Sequence, residues 1–362
     1  MGLGRWGARG GGPGTWGNLI TNVIVVGELY CYLCWKIRKM KAAVMFDQGD
    51  MPQYVEVPDP IVQNENEVLV SVKAVALKHF DKGQAKGTHY STAGSKQEAK
   101  IVGGDGVCLL PDGTRVYALG VSGMMAEKAI VERDRIVPIP AGLDDVTAAA
   151  LPNAVIGAAM ALRFRAGIEP GDTVLVNGAT GFTGRLAVQI AKHYGAGKVI
   201  ATGRNAGSLD ELLSLGADEV VSVQQSDEEF MSRLRELHRE TPFNVIVDYL
   251  WGHTAEMILA LLKGRGAFTP KTRFVSVGSM TGDLIQLSAA NLRSADLQIS
   301  GSGLGSWTKG QVRSLFAEIL PEMFQLAAEG KLTVGTVAVS IGDIEKLWEM
   351  DVESGRRVVV EI

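Results

Sequence analysis

The chain has 362 residues, 46% of them hydrophobic, with 36 basic and 40 acidic side chains and a formal net charge of -4. That length favours two domains with sizeable cores, and the absence of a basic, aromatic-interleaved run excludes nucleic acid as the main partner. Three cysteines exclude both a disulfide framework and a four-cysteine zinc lobe, which fits a reducing, cytoplasmic setting.

Residues 1–39 differ from the rest of the chain. A Gly-rich opening, "GARGGGPGTWG", leads into "LITNVIVVGELYCYLCW" and the basic "KIRK". The apolar run is close to the lower limit for a membrane span, and Asn22 and Glu28 interrupt it. It is expected to be upstream sequence ahead of Met40, disordered or non-native, and not a membrane anchor. Cys31 and Cys34 have the spacing of a metal-binding pair but no second pair to complete a tetrahedron.

From Met40 to about Ala158 the pattern is short and β-rich: "KAAVMFD", "QYVEVPD", "EVLVSVKAVAL" and "CLLPDGTRVYAL", with Asp112 and Gly113 supplying a tight hairpin turn. The stretch from Lys78 to Lys100 is polar and rich in Gly, Ser and His, too long for a plain connection, and reads as a functional loop. After about Ala159 strands and helices alternate. "TVLVNG" is an apolar run bounded by turn residues, Leu186, Ala187, Ile190, Ala191 and Tyr194 recur at helical spacing, and "KVIATG" is the next strand. Leu209, Leu212 and Leu213 line a helix closed by Gly216. "EVVSV", "EEFMSRLREL", "NVIVDYL", "TAEMILALLK", "RFVSVGS" and "LQISGSG" continue the alternation, which implies a parallel sheet wound with helices on both faces. The chain closes with helical "GQVRSLFAEILPEMFQLAAEG", strand-like "VGTVAVSI", "DIEKLWEM" capped by Asp343, and the strand "RRVVVEI".

Gly178, Gly181 and Gly184 stand between a buried strand and an amphipathic helix, the context in which glycines at this spacing carry meaning. Gly178 permits a tight exit from the strand, Gly181 lets the backbone approach a pyrophosphate, and Gly184 lets the helix pack close to the sheet. The free N–H groups of the first helical turn, through Ala179, Thr180, Phe182 and Thr183, then face the phosphates. At the next strand end, where an acidic residue would accept hydrogen bonds from a ribose 2'-hydroxyl, the chain places Gly203, Arg204 and Asn205. A guanidinium there binds a 2'-phosphate bidentately, so NADP(H) is expected over NAD(H). Tyr194 and Lys198 have the YxxxK spacing of a short-chain dehydrogenase pair. Gly195 and Gly197 lie between them, which denies the two side chains a common helical face.

Residues 40–362 resemble the medium-chain dehydrogenase/reductase superfamily. The resemblance is carried by "DGTRVYAL", "IEPGDTVLVNGATGFTGRLAVQIAKHYGA", "GADEVV", "NVIVDYLWG", "RFVSVGSMTG" and "ESGRRVVVEI". Within it, the chain resembles the zinc-independent quinone oxidoreductase branch, which includes zeta-crystallin-like proteins. The resemblance implies an α/β protein: a GroES-like β-rich catalytic domain at 40–158, completed by 309–362, around a Rossmann domain with a doubly wound parallel sheet at 159–308. It also implies a homodimer. Where zinc alcohol dehydrogenases carry a catalytic cysteine before a His-x-Asp stretch, "ALKHFD" has Lys78 ahead of His79 and Asp81. Their Gly-His-Glu motif becomes "GGD", with Gly104 in the histidine's place and Asp105 in the glutamate's. A protonated lysine and a glycine offer zinc nothing, so no metal is expected.

Without a Lewis acid, simple alcohol oxidation loses its means of stabilising an alkoxide. Quinones and enones ask less, because a conjugated acceptor spreads the incoming charge onto a distant oxygen. The resemblance therefore implies NADPH-dependent hydride transfer to such a small molecule. The alternatives are double-bond reduction in a secondary-metabolite intermediate and an NADPH-binding, crystallin-like module with little turnover. Candidate donors to the acceptor oxygen are Tyr90, Lys78 and His89, of which Tyr90 matches an aromatic hydroxyl of the family and Lys78 replaces a usual asparagine. Asn153 falls where the family approaches the nicotinamide, although it also suits a helix start. Leu250, Trp251, Gly278, Ser279 and the Ser302–Gly305 stretch with Gly303 end later strands and are expected to rim the crevice. Deleting residues 1–39 is expected to leave both activity and recovery in the soluble fraction unchanged.

Overall fold

The computed structural model describes residues 38–87, 99–350 and 352–362. Residues 1–37, with Cys31 and Cys34, and the segment holding His89 and Tyr90 lie outside the described residues, whereas Lys39, the last residue of the expected extension, already opens the first strand. The chain opens with β1 (Lys39–Met45), β2 (Gln53–Pro58) and β3 (Glu67–Ala76), the short helix α1 (His79–Ala85), then β4 (Lys100–Ile101), β5 (Asp105–Leu109), β6 (Arg115–Gly120) and β7 (Lys128–Pro138). α1 occupies the start of the stretch expected to be loop.

β3, β5, β6 and β7 pair in antiparallel succession, and β7 returns to β3, closing a small barrel. Alternation of apolar and polar residues along β3 turns Val68, Val70 and Val72 into the barrel interior. The β5–β6 hairpin turns at Gly113, whose φ of +86° is one that glycine adopts freely. Asp112 supports that turn by accepting a hydrogen bond from the Thr114 N–H at 2.9 Å.

A long helix, α2 (Asp145–Met160), follows, its first turn capped by Asp144, which accepts from the Thr147 N–H. It widens into a π turn over Ala161–Ala166 and stops at Gly167 in the left-handed region. This helix runs without interruption through residues 158 and 159, the boundary expected between the two domains. Asp145–Ala166 is long and apolar enough to cross a membrane, yet 67% of its most apolar stretch is buried inside the protein. It is a core helix, packed against β3, β5 and the last strand of the chain, Arg356–Glu361, on one side and the helix Phe182–His193 on the other.

The second unit alternates as expected: β8 (Thr173–Asn177), α3 (Phe182–His193), β9 (Lys198–Gly203), α4 (Ala206–Ser214), β10 (Glu219–Ser222), α5 (Asp227–Glu240), β11 (Val245–Asp248), α6 (Gly252–Leu261), β12 (Thr272–Ser276), α7 (Ala289–Ser294) and β13 (Leu297–Gly301). Its strands pair in parallel in the order β10-β9-β8-β11-β12-β13, a doubly wound sheet whose order reverses beside β8. The chain then returns through α8 (Lys309–Ser314), α9 (Leu320–Ala328), β14 (Gly335–Ser340), α10 (Ile344–Leu347) and β15 (Arg356–Glu361), and β15 joins the barrel sheet beside β3. One expectation fails here. Asp343 precedes α10 but caps nothing with its side chain, which turns toward Lys346 at 3.4 Å, while Ser340 caps the turn before it.

Gly184 decides how closely α3 meets the strand turn, because a Cβ there would lie 2.5 Å from the Gly178 carbonyl oxygen. That neighbour is backbone and cannot swing aside. Gly184→Val is expected to cost at least about 1–3 kcal/mol, the range of overpacked cores, read as a lower urea midpoint.

Candidate active site

The turn between β8 and α3 is built as its glycines imply. Gly178 has φ +88°, and any side chain there would strike Leu250 at 2.9 Å. Gly181 caps α3 with extended backbone and no side-chain hydrogen bond, so the helix's first N–H groups are left for an anion. Ala179, buried, donates its N–H to the Thr202 carbonyl at 2.7 Å. The Thr202 hydroxyl accepts from the Gly178 N–H at 3.1 Å and donates to Asn177 Oδ1 at 2.7 Å. Asn177 in turn donates to Asp248 Oδ1 at 2.7 Å. These links tie the ends of β8, β9 and β11 into one polar seam beneath the loop.

Asp248 also accepts the N–H groups of Leu250, at 3.1 Å, and Trp251, at 3.0 Å. Burial raises its pKa against the lowering effect of those donors. Trp251 is held at φ +57°, the sole non-glycine in the left-handed region among the described residues. Its ring meets Phe274 edge-on, with centroids 6.1 Å apart. Gly203 lies against the glycine loop, since a Cβ on it would come within 2.3 Å of Thr180. Arg204 follows it, exposed, at the end of β9. Asn205 has a structural task, capping α4 by accepting from the Ser208 N–H at 2.9 Å.

Next to this turn lies a cavity of about 640 Å³ between the barrel, α2 and the ends of β12 and β13. Of the expected site residues, Lys78, Asn153, Thr183 and the Ser302–Gly305 stretch with Gly303 line it. Gly178, Leu250 and Trp251 gather at the neighbouring loop, and Gly278 backs onto the Tyr249 carbonyl, 2.8 Å from where its Cβ would be. Ser279 is exposed beyond it. Tyr90 and His89 lie outside the described residues, so neither is placed.

Charge collects on the barrel side of the cavity. Lys78 is 2% exposed, and its ammonium is ion-paired with Asp105 and lies 3.5 Å from Asp81 Oδ2. The Tyr117 hydroxyl donates to the other oxygen of Asp105 at 2.8 Å. Burial works to lower the Lys78 pKa, but Asp105 and Asp81 outweigh it and hold it above the ordinary lysine value. Burial lifts the Asp81 carboxyl and the Tyr117 phenol above theirs. Arg357 adds a second buried cation from β15, its ring-stacked guanidinium 4.1 Å from the centre of Phe182 and its Nη1 donating to Asn153 Oδ1 at 3.3 Å. Burial lowers its pKa to about 10.

Sequence reasoning did not single out Asp105, Tyr117, Tyr249 or Arg357 as site residues. Asp105 carried a signal, its place in the "GGD" triplet; the others meet the site through contacts across 12 to 204 positions of chain.

Residues 183–325 match a family model described as zinc-binding dehydrogenase. A protein named "Probable NADPH-dependent quinone reductase tdiC", from Emericella nidulans, is 29% identical over 351 residues, covering 85% of this chain and 96% of its own length. A quinone oxidoreductase of Sus scrofa is 26% identical over 293 residues, covering 78% of this chain and 86% of its own. Among solved structures, the quinone oxidoreductase of Thermus thermophilus, described also in complex with NADPH, superposes with a TM-score of 0.71 at 27% identity, over 89% of this chain and all (100%) of that one.

The donors present do not suit the zinc that the family description suggests. Lys78 is protonated, Gly104 has no side chain, and among the described residues no three His, Cys, Asp or Glu side chains converge. Metal analysis of purified protein is expected to find far less than one zinc per chain, with activity unchanged by a chelator. A full equivalent of tightly bound zinc would contradict this.

Proposed function

Because the chain belongs to the medium-chain dehydrogenase/reductase superfamily, on its quinone oxidoreductase branch, we propose that it is an NADPH-dependent oxidoreductase that reduces a quinone or an α,β-unsaturated carbonyl without zinc. The observation that carries this reading is the continuity of the crevice. Thr183, in the first turn of α3 above the glycine loop, and Lys78, on the barrel side, line the same cavity. A nucleotide whose phosphates rest on the helix N-terminus would therefore reach a site that already holds a cation.

The chain's own residues divide the work. The N–H groups from Thr180 to Gly184 would hold the pyrophosphate, the Ala179 N–H being taken by the Thr202 carbonyl, and Arg204 would take the 2'-phosphate that distinguishes NADPH. Leu250, Trp251, Gly278 and Ser279 would border the nucleotide, and Asn153, Thr183 and Gly303 the nicotinamide end. When bound, NADPH supplies the hydride. The apolar walls formed by Leu119, Ile156, Val277 and Trp307 suit a flat, uncharged acceptor and keep water off it. Lys78, Tyr90 and His89 are the candidates for donating to the acceptor's oxygen. A homodimer in the cytoplasm completes the proposal; the open edge of β13, together with exposed Met280, Leu284 and Leu292 in the chain that leads to it, supports the pairing.

NADPH oxidation with a small panel of quinones and enones tests the activity. Turnover with at least one of them is expected, whereas tight NADPH binding with none would favour the crystallin-like module. Arg204→Asp is expected to raise the KM for NADPH by about tenfold or more while sparing NADH, the loss of about one charged hydrogen-bond pair. An unchanged KM for NADPH would remove Arg204 from the site.

A further inference from the structure

We propose that Lys78 is the residue that stabilises the negative charge arriving on the acceptor's oxygen, and that Asp105, Asp81 and Tyr117 are positioning residues that aim it; this rests on the reductase reading above. Among the described residues lining the cavity, Lys78 is the only cation. It sits at the end of β3, where the barrel strand turns into α1, and both neighbours of that turn constrain it. Asp81 Oδ2 accepts the backbone N–H of Lys78 at 3.0 Å and stands 3.5 Å from its ammonium. Asp105, on β5, takes the ammonium directly and is itself locked by the Tyr117 hydroxyl from β6 at 2.8 Å.

An ammonium has three N–H donors. Asp105 and Asp81 occupy two directions at most, which leaves one for an oxygen in the cavity. Asp105 and Asp81 hold the Lys78 ammonium in place before the reaction, and its remaining direction gains stabilisation as the acceptor becomes an anion. A preorganised charge of this kind does its work in the transition state with no rearrangement.

The chemistry closes without further reagents. Hydride reaching the acceptor carbon makes a new C–H bond and breaks the conjugated π bond, whose electron pair moves to the carbonyl oxygen. The nicotinamide is oxidised and the acceptor reduced. Lys78 remains an ammonium and holds the oxyanion by charge and hydrogen bond, and water supplies the proton as the product leaves.

The experiment compares wild type, Lys78→Met, Lys78→Arg and Tyr117→Phe, each checked for fold by circular dichroism and for NADPH affinity by fluorescence. Lys78→Met is expected to bind NADPH as wild type does and to lose about 100-fold or more in kcat, the size of one oxyanion donor. Lys78→Arg keeps the cation and is expected to lose less than the methionine variant. Tyr117→Phe removes a single hydroxyl; a kcat lowered several-fold with an unchanged KM for NADPH is expected. A folded Lys78→Met with wild-type kcat overturns the proposal, and so does an Arg variant no better than the Met one. If Lys78→Met does not fold, a Tyr117→Phe variant of unaltered kcat overturns it. A wild type that turns over none of the quinones or enones removes the reductase reading as well, whereas a working wild type beside an equally active Lys78→Met removes this proposal alone.

Discussion

A buried cluster of four ionisable side chains, Lys78, Arg357, Asp81 and Asp105, in which Lys78 pairs with both acids, is the constraint on which the rest of the structure depends. Each alone would be costly to remove from water, and deleting one partner of such a set costs about 3–5 kcal/mol because the other is left unpaired. The four come from α1 and its preceding residue, from β5 and from β15, and Arg357 reaches further to Asn153 on α2 and to the ring of Phe182 at the start of α3. Barrel, central helix and glycine turn are therefore registered against one another by charge as well as by apolar packing. An all-apolar corner could be as stable. What the ionic one adds is a fixed orientation for an ammonium at a cavity wall.

The nucleotide side uses a different device. Thr202, Asn177 and Asp248 join three strand ends by hydrogen bonds of 2.7 Å, and Asp248 turns the following backbone into the unusual conformation of Trp251. Because these groups are satisfied within the protein, the amides of the first turn of α3 are the ones left for a ligand. The local chain is thus ready for phosphate without needing to fold around it.

How much of this could be read in the sequence depended on the range of the signal. The glycine turn and the alternation from β8 to β13 were readable because spacing of Gly178, Gly181 and Gly184 and short apolar runs are local patterns. β7 was not, since Glu132, Arg133, Asp134 and Arg135 break its apolar alternation. α2 was read only in part, for the opposite reason: Asn153 looked like a helix start but lies mid-helix, since a helix buried on nearly every side, with Pro152 inside it, shows no polar face to mark its period. Asp343 looked like a cap because the residue type is right, but Ser340 takes that role one turn earlier. In the site, Lys78 stood out as a departure from its family's pattern, whereas Arg357 sat unremarked in a terminal strand. Its partnership with Asn153 spans 204 positions and leaves no trace in composition or spacing.

α2 belongs to both units, with its flanks packed against barrel strands and against α3 at the same time. The molecule therefore has no neutral seam at residue 158: cutting there would strip an apolar helix from one half or orphan it in the other. Any graft of the dinucleotide unit onto another protein would have to carry this shared beam along.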